Sequence, residues 1–287
     1  MKKLGSTFAA LLSAALLFVW LPGCSDDDNG TNNNNNTGST KIYMELKAAS
    51  QYKYNRTELD SVNNPITSTK HDYWIDVKGN GNLLLGAYKD WFYRIGTDKA
   101  TNEKDTLFIR TNTGSSGGNS FTKEVQVYGF LSEALQAFVD LFAAQFPIQP
   151  PTVPGPKWDP IAKFMDDQGA ILPIGTEWYI SNVNGEPLNF NLSGVPVTVN
   201  VIIKGKFEAK DEVIMVGTKS VKTWKTTVTI TATLPFGSPV VLKIGMWFSD
   251  DPDAQVKVRQ ESAVITIPFM GTLPIPGDLQ EMYSYFE

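Results

Sequence analysis

The chain carries one histidine and one cysteine among its 287 residues, and these two side chains bound much of the chemistry it could perform. His71 stands next to Asp72, and a hydrolytic centre would need such a base beside a nucleophile. Its place at the start of a predicted strand makes it a strand-edge or surface residue rather than a general base. One histidine excludes the two-histidine zinc motifs, and one cysteine excludes both a disulfide within the chain and a cysteine-based zinc cluster. Paired carboxylates could cleave glycosidic bonds if they flanked a cleft. Asp166-Asp167 and Asp250-Asp251 are adjacent in sequence, however, and they lie beside Gly169 and Pro252, as turn and element-end residues do. Asp250, Asp251 and Asp253 offer oxygens to Ca²⁺ but lack the glycine and distal glutamate of an EF-hand loop. No Walker-type or dinucleotide-type phosphate loop is present. The expectation is a protein that is not an enzyme and needs neither metal nor cofactor.

Two further features bear on partners. Trp74, Trp91, Tyr93, Trp178, Tyr179 and Trp247 could stack sugars if exposed, or pack in β-strand cores, where aromatics are common. The net charge of −5 and a pI near 5.1 argue against nucleic-acid binding through a basic face.

The amino-terminal segment reads as an address. Lys2 and Lys3 precede an uncharged apolar run, Leu4 to Trp20, which is followed by Leu21-Pro22-Gly23-Cys24. These four residues resemble the lipobox of bacterial lipoproteins. Leu21 and Gly23 fit the motif, and Pro22 is less typical. The resemblance implies a signal peptide over 1–23, cleavage before Cys24, and acylation of its thiol and new amino terminus, so that the protein meets the membrane through Cys24. Several acyl chains hold a protein firmly to a bilayer where one holds it marginally. Ser25 in place of an aspartate implies delivery to the outer membrane, and the following Asp26-Asp27-Asp28 resembles the surface-export signal of Bacteroidota lipoproteins; the periplasmic and the cell-surface face both stay open. Asn29 to Thr40 has no apolar side chain to bury, so residues 24–40 are expected to form a disordered tether.

The body, 41–287, reads as one β-rich domain with a sub-boundary near 147–175. Short strands are expected at Ile42–Leu46, Tyr73–Val77, Leu83–Leu85, Trp91–Ile95, Thr106–Arg110 and Glu124–Tyr128, with Thr113–Ser120 a flexible loop tip. The period then changes. Leu131, Leu135, Phe138 and Phe142 fall on one face of a helix, Leu131–Phe146, whose polar stripe is narrow. Asp159-Pro160 looks like the start of a second helix bearing Ile161, Phe164 and Met165, with Gly169 as its stop. In the last third, Val197 to Ala209, Trp224 to Leu234 and Val240 to Phe248 alternate apolar and polar residues, as long antiparallel strands with one buried face do. Val256–Arg259, Ala263–Phe269 and Met282–Phe286 complete the set.

The run Glu212 to Ser262 adds a family likeness. A strand ending at Val216-Gly217-Thr218, a long Lys/Thr-rich strand, a strand ending in Met246-Trp247-Phe248, an acidic turn and Val256-Lys257-Val258 follow one another. The order resembles the last strands of LolA/LppX-like half-barrels and of a second group of bacterial envelope proteins. The resemblance implies a mainly β fold: a strongly curved antiparallel sheet, or half-barrel, packed on one or two helices, with an acyl chain held between sheet and helix in some members. The candidate cavity residues are Leu135, Phe138 and Phe142 on the helix, facing Trp224, Val228, Ile230, Leu242, Ile244 and Met246. The expected function is a non-enzymatic envelope lipoprotein binding a lipid or other hydrophobic ligand there. The alternative is a surface module that binds a glycan or an envelope protein. Asp60-Ser61-Val62 and Asp105-Thr106-Leu107 also resemble Bacteroidota O-glycan acceptors.

Overall fold

A computed structural model describes residues 20–21, 41–44, 48–79, 91–143, 148–192, 195–235, 238–267 and 271–286. Cys24, the tether and Leu83–Leu85 lie outside the described residues. So do 144–147, where the helix was expected to end, and Phe269.

The fold is mainly β, with one large antiparallel sheet and one α-helix. Its strands are β1 (Gln51–Leu59), β2 (His71–Gly79), β3 (Phe92–Asp98), β4 (Lys104–Ser116), β5 (Asn119–Tyr128), β6 (Ile148–Gln149), β7 (Trp158–Lys163), β8 (Glu177–Tyr179), β9 (Glu186–Leu192), β10 (Val195–Val216), β11 (Lys219–Thr233), β12 (Val240–Asp250), β13 (Asp253–Gln260) and β16 (Gly277–Phe286). The helix α1 spans Phe130–Ala143, and β14 (Ala263–Ile267) and β15 (Gly271–Ile275) make a separate hairpin. The sheet runs β6-β9-β10-β11-β12-β13-β16-β1-β2-β3-β4-β5-β7, with β8 alongside β10 and the two-residue strand Trp20–Leu21 alongside β13. The sheet unites strands from both sides of 147–175, and the carboxy-terminal strand β16 joins the two groups by pairing with β13 and β1.

The sheet curls without closing into a barrel. Its far strand β7 comes back to the strands near the other end: Trp178 Nε1 on β8 donates to the Pro160 carbonyl on β7 at 2.8 Å. Just beyond β7, the Phe164 ring lies edge-on to Phe207, Trp224 and Phe248 at 5.4–6.4 Å. One core fills the curl, and α1 buries Phe130, Leu131, Ala134, Leu135, Phe138 and Phe142 in it, leaving Glu133, Gln136 and Asp140 outside.

Four expectations need correction. Trp158–Lys163 is a strand, not the start of a second helix. Asp159 caps a helix, but a different one: its Oδ2 accepts the Leu131 N–H of α1 at 2.8 Å. Pro160 is tolerated because β7 is the last strand of the path. The stretch Thr113–Ser120 is not a loop, since β4 and β5 run on to Ser116 and Asn119. Gly117 and Gly118 alone make the turn, both with positive φ (62° and 81°), as a tight two-residue hairpin requires. Finally, Val197–Ala209 and the strand ending at Val216 are one strand, β10, with register shifts around Ala209 and a left-handed Asp211 (φ 59°). A bulge can bend a strand without ending it. Ile42–Met44 lies outside any strand, although the Ile42 carbonyl accepts the Thr122 N–H at 2.9 Å.

Candidate functional site

The nine residues expected to line an apolar cavity all lie in the core. β11 and β12 pair Val228 with Ile244 and Ile230 with Leu242, so these side chains share one face. Phe142 of α1 meets Phe190 of β9 at 5.0 Å. Leu135, Val228, Ile230, Leu242, Ile244 and Met246 have no exposed surface. Not even a water molecule reaches them, and the apolar half of the curl is packed core in this form.

The other half of the inner face is polar. On β1, Tyr52 and Tyr54 set the inward parity, and Arg56 falls on it. Register then aligns Val258, Gln280, Arg56 and His71 across β13, β16, β1 and β2. Arg56 Nε donates to Asp278 Oδ1 at 3.1 Å and Nη1 to Asp98 Oδ2 at 3.4 Å. Burial opposes the Arg56 charge, but Asp278 leads the interactions that outweigh it and raise its pKa. Burial also opposes ionisation of Asp98. The N–H groups of Thr101 and Ala100, together with His71, overcome it and hold this carboxyl below its usual range. His71 Nε2 lies 2.9 Å from Asp98 Oδ2, and Nδ1 lies 2.7 Å from the Thr69 carbonyl. With both ring nitrogens engaged, His71 offers no free nitrogen to a substrate.

Deeper in, Tyr73 donates to both oxygens of Asp105 at 2.9 Å. Burial pushes both groups up. Arg94 is fully buried near Tyr54, Tyr73 and Asp105, and desolvation pulls its pKa well down. Gln255 is 1% exposed, and among the described residues neither polar atom of its side-chain amide has a hydrogen-bond partner. At the start of α1, Asp159 is buried and pushed up to about 6, chiefly by desolvation. Glu133 lies on the exposed side of the helix, and desolvation, then Asp105, push its carboxyl up to about 7.

The remaining expected residues scatter. Asp166 Oδ1 accepts the N–H groups of Gln168 and Ala170 as a turn residue, and Asp167 pairs with Lys123 at 3.1 Å. Asp251 pairs with Lys219 at 2.7 Å. Among the described residues, no group of three or more histidine, cysteine, aspartate or glutamate side chains could hold a metal ion. Gly114-Ser115-Ser116-Gly117-Gly118 spells the G-x-S-x-G letters, which reading the stretch as a loop tip overlooks. Ser116 ends a hairpin strand and is exposed, unlike a nucleophile at a strand-to-helix elbow.

Of the six aromatics, Trp91, Trp178 and Trp247 are buried, Trp74 and Tyr93 half-buried, and Tyr179 exposed. Trp74 sits on the outer face of β2, with Lys53 Nζ 4.3 Å and Lys99 Nζ 4.1 Å from its ring centroid. Lys53 also lies 5.0 Å from the ring of Phe286, which is 57% exposed. The sequence reading missed Phe286 and both lysines as a group, because β1, β2 and β16 become neighbours only in the folded sheet. It also missed Arg56. The signal there was legible: a charged residue at the parity of Tyr52 and Tyr54.

Compared with protein-family models, curated proteins and solved structures, the chain matches none.

Proposed function

We propose that this protein is a non-enzymatic, lipid-anchored module of the bacterial outer membrane that binds a glycan or protein partner through the outer face of its sheet. One observation carries this reading: the expected cavity residues are buried in the core, whereas on the outer face the exposed Lys99 and Phe286 flank the half-buried Trp74 and Lys53. Exposed aromatics beside charged groups are what recognition surfaces use. The anchor is tested by Cys24→Ala. The variant is expected to move from the membrane fraction to the soluble fraction and to lose incorporated palmitate. A variant that stays membrane-bound sinks the anchor. Protease treatment of intact cells then distinguishes the cell-surface face from the periplasmic one.

A second reading keeps a lipid or other hydrophobic ligand between sheet and helix. It is favoured by α1, which buries most of its circumference against β-strand core. Because the core is packed, this ligand would require α1 to move aside. Native mass spectrometry of the protein from cells tests it, and a stoichiometric lipid adduct would carry it.

A further inference from the structure

We propose that a slot between β13 and β16 takes up an extended, apolar segment of a partner polypeptide once the amino-terminal segment has been cleaved away. This goes beyond the outer-face reading above and rests on the proposed removal of residues 1–23.

The slot arises where two strands part. β16 pairs with β13 from Asp278 to Glu281. Beyond Glu281, among the described residues, it continues against β1 alone as far as Phe286, with a register shift between Met282 and Ser284. The start of β13 thus loses β16 as a neighbour, while Asp253, Ala254 and Gln255 still pair with β12 on their other side. Tyr54 marks the divergence. Its hydroxyl donates to the Gln255 carbonyl at 2.9 Å, so a side chain serves where the ladder has ended.

Asp253 and Ala254 have another strand beside them. Trp20 pairs with Ala254 and Leu21 with Asp253, antiparallel. The chain's own segment therefore shows what the slot accepts: an extended main chain bearing apolar residues. The surroundings ask for the same. Pro252 to Val256 are all buried, so this stretch is covered on both faces, and a bare main-chain edge there is costly. Cleavage before Cys24 takes Trp20 and Leu21 away and leaves that edge open. Residues 25–40, which remain, are Ser, Asp, Asn, Gly and Thr alone and offer no apolar replacement. An open edge of this kind is filled by strand addition from another chain.

Hydrogen–deuterium exchange of the full processed chain in detergent tests this, with a peptide of residues 16–22, LLFVWLP, carrying a lysine tag for solubility. Without peptide, 253–256 should exchange faster than 257–260, which β16 covers. At about ten times its Kd, the peptide should slow exchange at 253–256 about tenfold and leave 257–260 unchanged. A peptide N-methylated at the residues equivalent to Trp20 and Leu21 lacks the ladder donors and should protect nothing. No gain of protection at 253–256 overturns the proposal. Equal protection by the N-methylated peptide also overturns it, because apolar adhesion needs no ladder. Equal protection by a tether peptide, 29–37, or full protection before any peptide is added, means that the chain fills its own slot and overturns the partner. A dimer that LLFVWLP dissociates makes a second copy the occupant and overturns it as well. The intact mass of the same sample separates the two readings. Retention of residues 1–23 removes the cleavage reading and the open slot together, whereas a processed chain without protection removes the slot alone.

Discussion

At the residue scale, the inner face of the sheet mixes groups that an apolar core would exclude. Arg56 shows the cost. Its guanidinium joins Asp98 and Asp278, so Arg56→Met leaves buried Asp278 without its cation, while Asp98 keeps His71 and two backbone N–H groups. Such a loss destabilises by about 3–5 kcal/mol, and urea unfolding should show it. Asp159 makes the opposite kind of prediction. Its folded pKa of about 6 lies above the ordinary carboxyl value, so the folded protein takes up a proton between pH 6 and 4 that the unfolded chain does not. Its contribution to stability therefore grows as pH falls through that window. Glu133, at about 7, acts in the same sense from a higher pH. Asp159→Asn keeps an acceptor for the Leu131 N–H without the buried charge. Thermal melts at pH 5 and pH 8 should differ less in this variant than in the wild type. Asp159→Ala also loses the cap and should cost about 1–2 kcal/mol.

At the element scale, the far ends of the curl are held by small residues that let large ones in. A Cβ on Gly205 of β10 would meet the Trp178 ring at about 2 Å. Gly205→Ala should therefore dislodge Trp178 from the Pro160 carbonyl and destabilise the protein by about 1–3 kcal/mol, as overpacking does. A changed Trp fluorescence maximum together with a lower melting temperature checks this; an unchanged spectrum and melting point would mean that the indole is not held there. Elements were legible in the sequence where one face is wet. The alternation from Val197 to Ala209 and from Trp224 to Leu234 emerges as β10 and β11, and the apolar face of Leu131 to Phe142 emerges as α1. They were misread where a local signal served a distant partner. Asp159-Pro160 has the letters of a helix start, yet the aspartate caps α1 from a neighbouring strand. Gln51–Leu59 mixes Arg56 and three tyrosine and lysine residues with no clean apolar face, because its inner side meets a polar cluster; β1 was missed for that reason. The outer platform was legible only as a lone Trp74.

At the scale of the whole molecule, the carboxy-terminal strand lies in the middle of the sheet. β16 lies between β13 and β1, and Phe286 pairs with Gln51. Removing 277–286 should divide the sheet in two and expose a bare edge on each part. The truncated chain is expected to aggregate or to lose its cooperative melting transition, and a sharp transition at the wild-type temperature would contradict the joining role. A polypeptide emerges from its amino terminus, so the strand that joins the two groups is the last to be made. Until it arrives, the earlier strands lack the partner that locks them, and their long-range contacts form slowly in any case. The architecture thus acts as a delay: the two groups of strands wait for the joining strand before the sheet is continuous.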